Sequence, residues 1–129
     1  MLNVHQLKKI LLIWAIPLTL QAGEATMKIW YLPFRIETIT AVMMENMEKC
    51  GADMIVISDT RDINRIESIL RESKNNNKII FNEGRVRAKI IYNSVVYYID
   101  SEGNFLSSEF SHGKVDKLKF EKIIEKYER

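Results

Sequence analysis

The sequence predicts an α+β domain, in which a largely antiparallel sheet of four or five strands carries three helices packed mainly on one face. Two observations favour this fold class. Short runs of β-rich residues alternate with turn residues, and three other segments repeat apolar residues at helical spacing. Each amphipathic helix must bury its apolar stripe, and one face of a sheet is the simplest surface that covers all three.

The first 25 residues have the order of regions that is typical of a secretory signal peptide. Lys8 and Lys9 supply positive charge, the apolar run "ILLIWAIPLTL" follows, and small residues come next. Gly23 and Ala25 stand where signal peptidase requires small side chains, so we expect cleavage after Ala25. The apolar run is shorter than the roughly 20 residues of a spanning helix. We therefore expect a single domain, residues 26–129, that is periplasmic or secreted and keeps no stable membrane anchor.

The composition of this domain excludes several classes of function. Loss of the signal peptide lowers the formal charge from +2 to +1, far from the basic field that nucleic-acid binding requires. His112 is the only histidine after the signal peptide and Cys50 the only cysteine, which excludes a multi-histidine metal site and an internal disulfide. We expect no cofactor and no metal. Cys50 itself fits either a small buried thiol or a catalytic or intermolecular one.

The first predicted strand is "MKIWYLPF", which holds most of the aromatic residues of the N-terminal half. Alternation places Trp30, Leu32 and Phe34 on one side, which we expect to face the helices. It places Ile29 and Tyr31 on the other side. The proline after Leu32 has no backbone donor, so we expect the strand to lie at a sheet edge or to end its pairing there. The aromatics fit either core packing or a partner-binding surface.

Three segments are predicted to be helices because their apolar residues share one face and their ends carry capping or stop residues. They span about residues 40–51, 59–74 and 116–127. Their apolar faces contain Met43, Met47 and Cys50 in the first helix, Ile63, Ile66, Ile69 and Leu70 in the second, and Phe120, Ile123, Ile124 and Tyr127 in the third.

The remaining strands are predicted from β-rich runs between turn residues. "DMIVISD" is expected to be buried on both faces, and "KIIF" is a possible short strand. The two halves of "RVRAKIIYNSVVYYID" form a hairpin around Asn93 and Ser94. Gly103 can take positive φ in the turn that follows, and Phe105 to Ser107 forms a last short strand.

Candidates for catalysis and metal binding are few. His112 lies in a polar, turn-like segment, and no nucleophile turn of the "GxSxG" type accompanies it. Asp100, Glu102 and Asn104 resemble the first ligands of a calcium loop, but Gly103 is misplaced and the final glutamate is missing. A hairpin turn is therefore favoured over a calcium site, and no catalytic residue is predicted.

A candidate partner-binding surface comes from three basic residues at alternate positions. Arg85, Arg87 and Lys89 should project from one face of a strand, either as a solvated outer face or as a basic row that docks an acidic partner. Tyr97 and Tyr31 are added as candidate contacts because tyrosine and arginine are enriched among residues that dominate binding energy.

The order of segments also carries a resemblance. "YLPFRIET" opens the first strand, a strand and a helix follow, and "VRAKI" and "YYIDSEGN" form a hairpin before the last helix. This layout is similar to small exported bacterial proteins, some of which are immunity partners of antibacterial toxins. The resemblance implies a periplasmic inhibitor that occludes a toxin's active site. The alternative is an envelope protein that binds a small ligand, or a small enzyme, with a pocket between sheet and helix.

Overall fold

A computed structural model describes residues 26–38, 40–72 and 80–128 of the 129-residue chain. The predicted signal peptide lies outside the described residues, and so does the predicted end of the second helix near Lys74. No helix within the described ranges is both long enough and apolar enough to cross a membrane.

The described chain is a small α+β fold built on one antiparallel sheet. Its strands are β1 (Met27–Tyr31), β2 (Asp53–Ile57), β3 (Val86–Tyr92), β4 (Val95–Asp100), β5 (Asn104–Ser107) and β6 (His112–Lys114). The helices are α1 (Thr60–Glu72) and α2 (Lys117–Glu125), and Met44–Asn46 forms one 3-10 turn. The strand order across the sheet is β2-β1-β3-β4-β5-β6. The two end strands, β2 and β6, therefore form its edges.

The predicted count of four or five strands with three helices is wrong, because the described residues form six strands and two α-helices. The first predicted helix is replaced by an irregular segment. Val42 makes a parallel bridge with Arg85 and exchanges backbone hydrogen bonds with Gly84 and Val86, so its backbone is extended where the helix should begin. The additional strand is β6, whose residues were expected to form a loop and instead pair with β5.

Of the two expectations for β1, the sheet-edge position is wrong and the end of pairing near the proline is confirmed. β1 lies between β2 and β3, and its last paired residue is Tyr31, two positions before the proline. The assignment of its faces is reversed for four residues. Ile29 and Tyr31 belong to the core under the helices, whereas Trp30 and Leu32 pack on the opposite side of the sheet. Phe34 lies under the helices as expected, because the turn after β1 breaks the alternation.

The main core lies between the sheet and the two helices. The apolar stripes predicted for α1 and α2 are confirmed as its helical half. The side chain of Asp116 caps α2 by accepting a hydrogen bond from the backbone N–H of Lys119 at 3.1 Å. The side chain of Asp59 accepts one from the N–H of Arg61 at 2.8 Å, at the start of α1. The strands contribute Met27, Ile29, Tyr31, Ile55, Ile57, Ala88, Ile90, Ile99 and Phe105.

The turns of the β3 to β5 meander agree with the sequence. Asn93 and Ser94 both have positive φ, 50° and 66°, as a two-residue hairpin turn with a right-handed twist requires. Gly103 has a φ of 92°, and a Cβ there would lie 3.1 Å from the carbonyl oxygen of Val115, so glycine is needed for both conformation and space.

Candidate protein-interaction surface

The face of the sheet away from α1 and α2, called the open face below, is largely apolar. Strand register sets out two rows of side chains across it. One row contains Met54, Trp30, Lys89, Tyr98, Leu106 and His112, and the other contains Val56, Lys28, Ile91 and Val96. Antiparallel sheets that meet water on one face normally carry polar side chains there. The open face therefore requires a cover or a partner.

Part of that cover comes from the segment between β1 and β2. Val42 and Met47 are buried with Val86 in a second apolar cluster, against which Trp30 and Tyr98 pack on the open face. Cys50, Ala52, Met44, Leu32 and Phe81 also pack against this cluster. This segment leaves the edge strand β2 exposed on the open face.

The exposed part of the open face lies on β2. Met54 is 53% exposed and Val56 is 46% exposed, although "DMIVISD" was expected to be buried on both faces. Among the described strands β2 pairs only with β1, so one side of its backbone has no partner strand. Sequence reasoning missed these two residues because four consecutive apolar residues do not distinguish a central strand from an edge strand.

The three basic residues of the predicted row do not share a face. The register shifts between Val86 and Ala88, so these two residues pack in different apolar clusters on opposite sides of the sheet. Arg87 lies between them and is 1% exposed, so the expectation that it is solvated is wrong. Its Nη1 donates to the carbonyl oxygen of Val86 at 3.0 Å, and its Nη2 donates to that of Ile36 at 3.1 Å. Burial, followed by the nearby charge of Arg85, lowers the pKa of Arg87.

The other two basic residues are engaged in ion pairs. Arg85 donates from Nε to Oγ of Ser101 at 2.9 Å and from Nη2 to Glu37 at 3.1 Å. Lys89 pairs with Glu48, and its Nζ lies 5.4 Å from the ring centroid of Trp30. Burial acts to lower the pKa of Lys89, but the hydrogen bond to Glu48 and the nearby hydroxyl group of Tyr98 raise it overall. A partner would have to displace these contacts to reach either charge.

The two candidate tyrosines lie on the helix side of the sheet. Tyr31 is buried against Phe34, with ring centroids 5.7 Å apart, and donates a hydrogen bond to Glu121 at 3.1 Å. Burial and the nearby carboxylate of Glu121 raise the pKa of Tyr31. Tyr97 is half-buried beside Phe105 under the helices, and burial raises its pKa as well. Binding by any of the five predicted residues stays a prediction, but these placements remove Arg87 and Tyr31 from the surface.

The calcium-like turn is occupied by the protein's own amides. Asp100 is fully buried, and its carboxylate accepts backbone N–H bonds from Asn82, Glu102 and Asn104 at 2.8 to 2.9 Å. Carboxylate oxygens that face N–H donors are directed away from the role of cation ligands. No group of three or more histidine, cysteine or acidic residues in the described ranges is placed to hold a metal. The turn is therefore a structural feature of the fold.

His112 lies on β6 and not in a loop as its sequence context indicated. Its side chain is on the open face beside Leu106, with which it is paired in register. Nδ1 is buried and has no hydrogen-bond partner among the residues that the structure describes. The hydroxyls of Ser107 and Ser111 hydrogen-bond to each other at 2.6 Å. The described geometry therefore shows no serine and histidine pair.

A separate groove of about 400 Å³ lies between α1 and α2. Its apolar floor is formed by Ile69 and Ile123, and three basic side chains line it, Arg65, Lys119 and Lys122. The remaining lining residues are Asn64, Ser68 and Glu72. This groove could accept a small amphiphilic ligand with an anionic group.

Comparison with known proteins gives no relative. No family model, no curated protein sequence and no solved structure matches this chain.

Proposed function

We propose that the mature chain is an exported protein-binding module, and specifically an immunity protein that binds a cognate antibacterial toxin in the periplasm and occludes its active site. The observation that supports this proposal is the exposure of Met54 and Val56 on the open face, beside the free edge of β2. Exposed apolar side chains next to an unpaired strand edge are a feature of protein interaction sites.

Burial of Met54 and Val56 by a protein partner would contribute to the free energy of binding. Complete burial of a methionine or valine side chain contributes roughly 1.5 to 3 kcal/mol. Ile91, Val96 and Leu106 continue the apolar surface across the open face and are half-buried before any partner binds. These three residues lie beyond β1 in the sheet, so a partner that covers β2 and extends across the open face would also exclude water from them.

Export is the first part of the proposal to test. N-terminal sequencing of the periplasmic protein should begin at or near Thr26, since cleavage is expected after Ala25. A mature protein that retains Leu12 to Leu20 would contradict export with cleavage.

Partner binding is the second part, and the product of an adjacent toxin gene is the partner to test. The double variant Met54→Lys, Val56→Glu should weaken the measured affinity by about tenfold or more and reduce protection of cells that express the toxin. Leu118→Lys is the matched control, because Leu118 is 74% exposed on α2 and lies away from the open face. Equal loss in both variants, or protection without physical binding, would contradict the proposal.

A second candidate function is binding of a small anionic amphiphile in the groove between α1 and α2. It is favoured by the combination of an apolar floor with the charges of Lys119 and Lys122. Mass spectrometry of the protein purified from the periplasm would detect a bound lipid or fatty acid. Lys119→Glu with Lys122→Glu should abolish such binding without affecting the toxin complex.

A further inference from the structure

The free edge of β2 has few of the features that usually protect an edge strand. Its five residues, Asp53–Ile57, include no proline and no lysine, and Asp53 is their only charged residue. Natural edge strands are commonly blocked by charges, prolines, bulges or a covering loop. In the described chain the backbone groups of β2 that are directed away from β1 have no partner strand. This edge is suited to accept one more strand.

Acidic side chains surround one end of this edge. Asp53 pairs in register with Tyr31, whose hydroxyl contacts Glu121. Burial, and then the negative charges of Asp53, Glu125 and Glu121, raise the pKa of Glu128. No ion pair within the described residues involves any of these four carboxylates. The Asp53 end of β2 therefore carries negative charge that a basic partner would neutralise.

We infer that the partner adds an extended strand to the free edge of β2, and that this strand carries basic residues at the end beside Asp53. The inference rests on the proposed function, because it states how the partner protein is held. Apolar side chains of the added strand would cover Met54 and Val56 on the open face. Backbone hydrogen bonds would provide affinity, and the acidic end would set the direction and register.

A second copy of the chain fits this edge less well. An antiparallel pair of β2 strands centred on Ile55 places Asp53 of one copy opposite Ile57 of the other. The second strand then brings no basic residue to the acidic end, because the only charge in β2 is itself negative. Charge complementarity therefore favours a different chain with lysine or arginine at that position.

The test uses a short capped synthetic peptide of alternating valine and threonine, with two lysines at its C-terminal end. An antiparallel strand added to β2 has its C-terminal end beside Asp53. This peptide is titrated into the protein purified from the cells that express it. Binding should shift the NMR signals of β2 and slow hydrogen exchange of the β2 amides that are directed away from β1. A peptide with two glutamates in place of the lysines should bind about tenfold more weakly. A peptide with the lysines moved to its N-terminal end tests the direction, and should also bind more weakly.

Charge exchange provides the matched variant. Asp53→Lys with Glu128→Lys should reverse the preference, so that the glutamate peptide binds better than the lysine peptide. Both side chains are exposed, so the variant should remain folded by circular dichroism. A purely structural role for these residues would weaken both peptides equally and would overturn the inference.

The remaining outcomes separate this inference from the proposed function. Equal binding of a peptide whose ladder amides are N-methylated would exclude strand addition and overturn the inference. Dimerisation of the protein through β2, measured by sedimentation, would overturn it in favour of a second copy. A toxin complex that is unaffected by Asp53→Lys with Glu128→Lys would overturn it and leave the proposed function standing. Peptide binding as expected, with no cognate toxin, would support the inference while the proposed function fails.

Discussion

Nζ of Lys126 lies 2.7 Å from Oδ1 of Asp62, and this contact joins the end of α2 to the first turn of α1. Asp62 is 2% exposed, and its second oxygen accepts a hydrogen bond from the hydroxyl of Tyr127. Arg65 adds a weaker contact at 3.4 Å. One buried carboxylate therefore holds the two helices together at the surface of the core.

Asp62→Asn should lower the free energy of unfolding at pH 7 by about 2 to 3 kcal/mol, because a charged acceptor for two hydrogen bonds is lost. The hydrogen bonds from Lys126 and Tyr127 lower the pKa of Asp62 below its ordinary 3.8. Its stabilisation is therefore complete above that value and is lost as pH falls through the lowered pKa. Urea unfolding measured at decreasing pH should show that the free energy of unfolding falls more steeply in the native protein than in the variant.

The control for that experiment is Asp59→Asn. Asp59 caps the same helix but its side chain is 41% exposed, and asparagine caps a helix about as well as aspartate. Equal acid sensitivity of Asp62→Asn and the native protein would contradict the role given to the buried carboxylate.

Tyr127→Phe should remove part of the alkaline loss of stability. Burial and the hydrogen bond to Asp62 raise the pKa of Tyr127 from 10.0 to about 12. A raised pKa means that the neutral phenol stabilises the fold below pH 10.0 and that this contribution disappears as pH rises to about 12. The free energy of unfolding, measured across that pH interval, should fall more steeply for the native protein than for the variant. A double-mutant cycle with Asp62→Asn should show coupling, and additive effects would contradict the shared contact.

Asp100→Asn should destabilise the fold by about 2 to 4 kcal/mol, because the new amide group turns N–H donors toward the backbone N–H groups of Asn82, Glu102 or Asn104. Hydrogen exchange at these three backbone amides should be faster in the variant than in the native protein. Glu102→Gln is the control, since Glu102 is exposed and its side chain makes none of these bonds. If the native protein gains stability from added calcium, the structural role of the turn is wrong.

Arg87→Glu should destabilise the protein by more than about 3 kcal/mol, because a buried carboxylate would face the carbonyl oxygens of Val86 and Ile36. Arg85→Glu makes the same change of charge at a side chain that is 41% exposed, and should cost less. Thermal unfolding of the two variants provides the comparison. A stable Arg87→Glu protein would show that this guanidinium leaves its buried position in solution.

Metal chelator and thiol reductant should leave the thermal midpoint unchanged. Cys50 is half-buried, and its Sγ lies 3.6 Å from the carbonyl oxygen of Met47, consistent with a packed thiol. Differential scanning calorimetry with and without each reagent is the measurement. A decrease of several degrees with reductant would indicate an intermolecular disulfide through Cys50.

The local signals in the sequence were sufficient for several elements of the fold. The stripe of Ile63, Ile66 and Ile69 predicted α1, and the pair Asn93 and Ser94 predicted the β3 to β4 turn. These features depend on residues close together in the chain, and the energies that select them are local.

The errors of prediction arise where contacts between residues far apart in the chain determine the structure. β1 has apolar residues on both faces, so alternation could not tell whether Ile29 or Trp30 lies under the helices. The register shift that buries Arg87 depends on how β3 pairs with β4, and period-two spacing does not reveal it. The exposure of Met54 depends on the position of β2 at the end of the sheet order, which the run of apolar residues does not contain.

The position of β1 between β2 and β3 also constrains the order in which the chain folds. β3 to β6 pair with their neighbours in sequence, whereas Lys28 of β1 pairs with Ile91, far along the chain. Until β3 pairs with β1, β1 and β2 can form only a two-stranded ribbon, which is marginally stable alone. Such non-local pairing slows folding and extends the time for which apolar strands are open to wrong contacts. A chaperone that holds this ribbon until β3 pairs with β1 would benefit this protein more than one built only from the local meander.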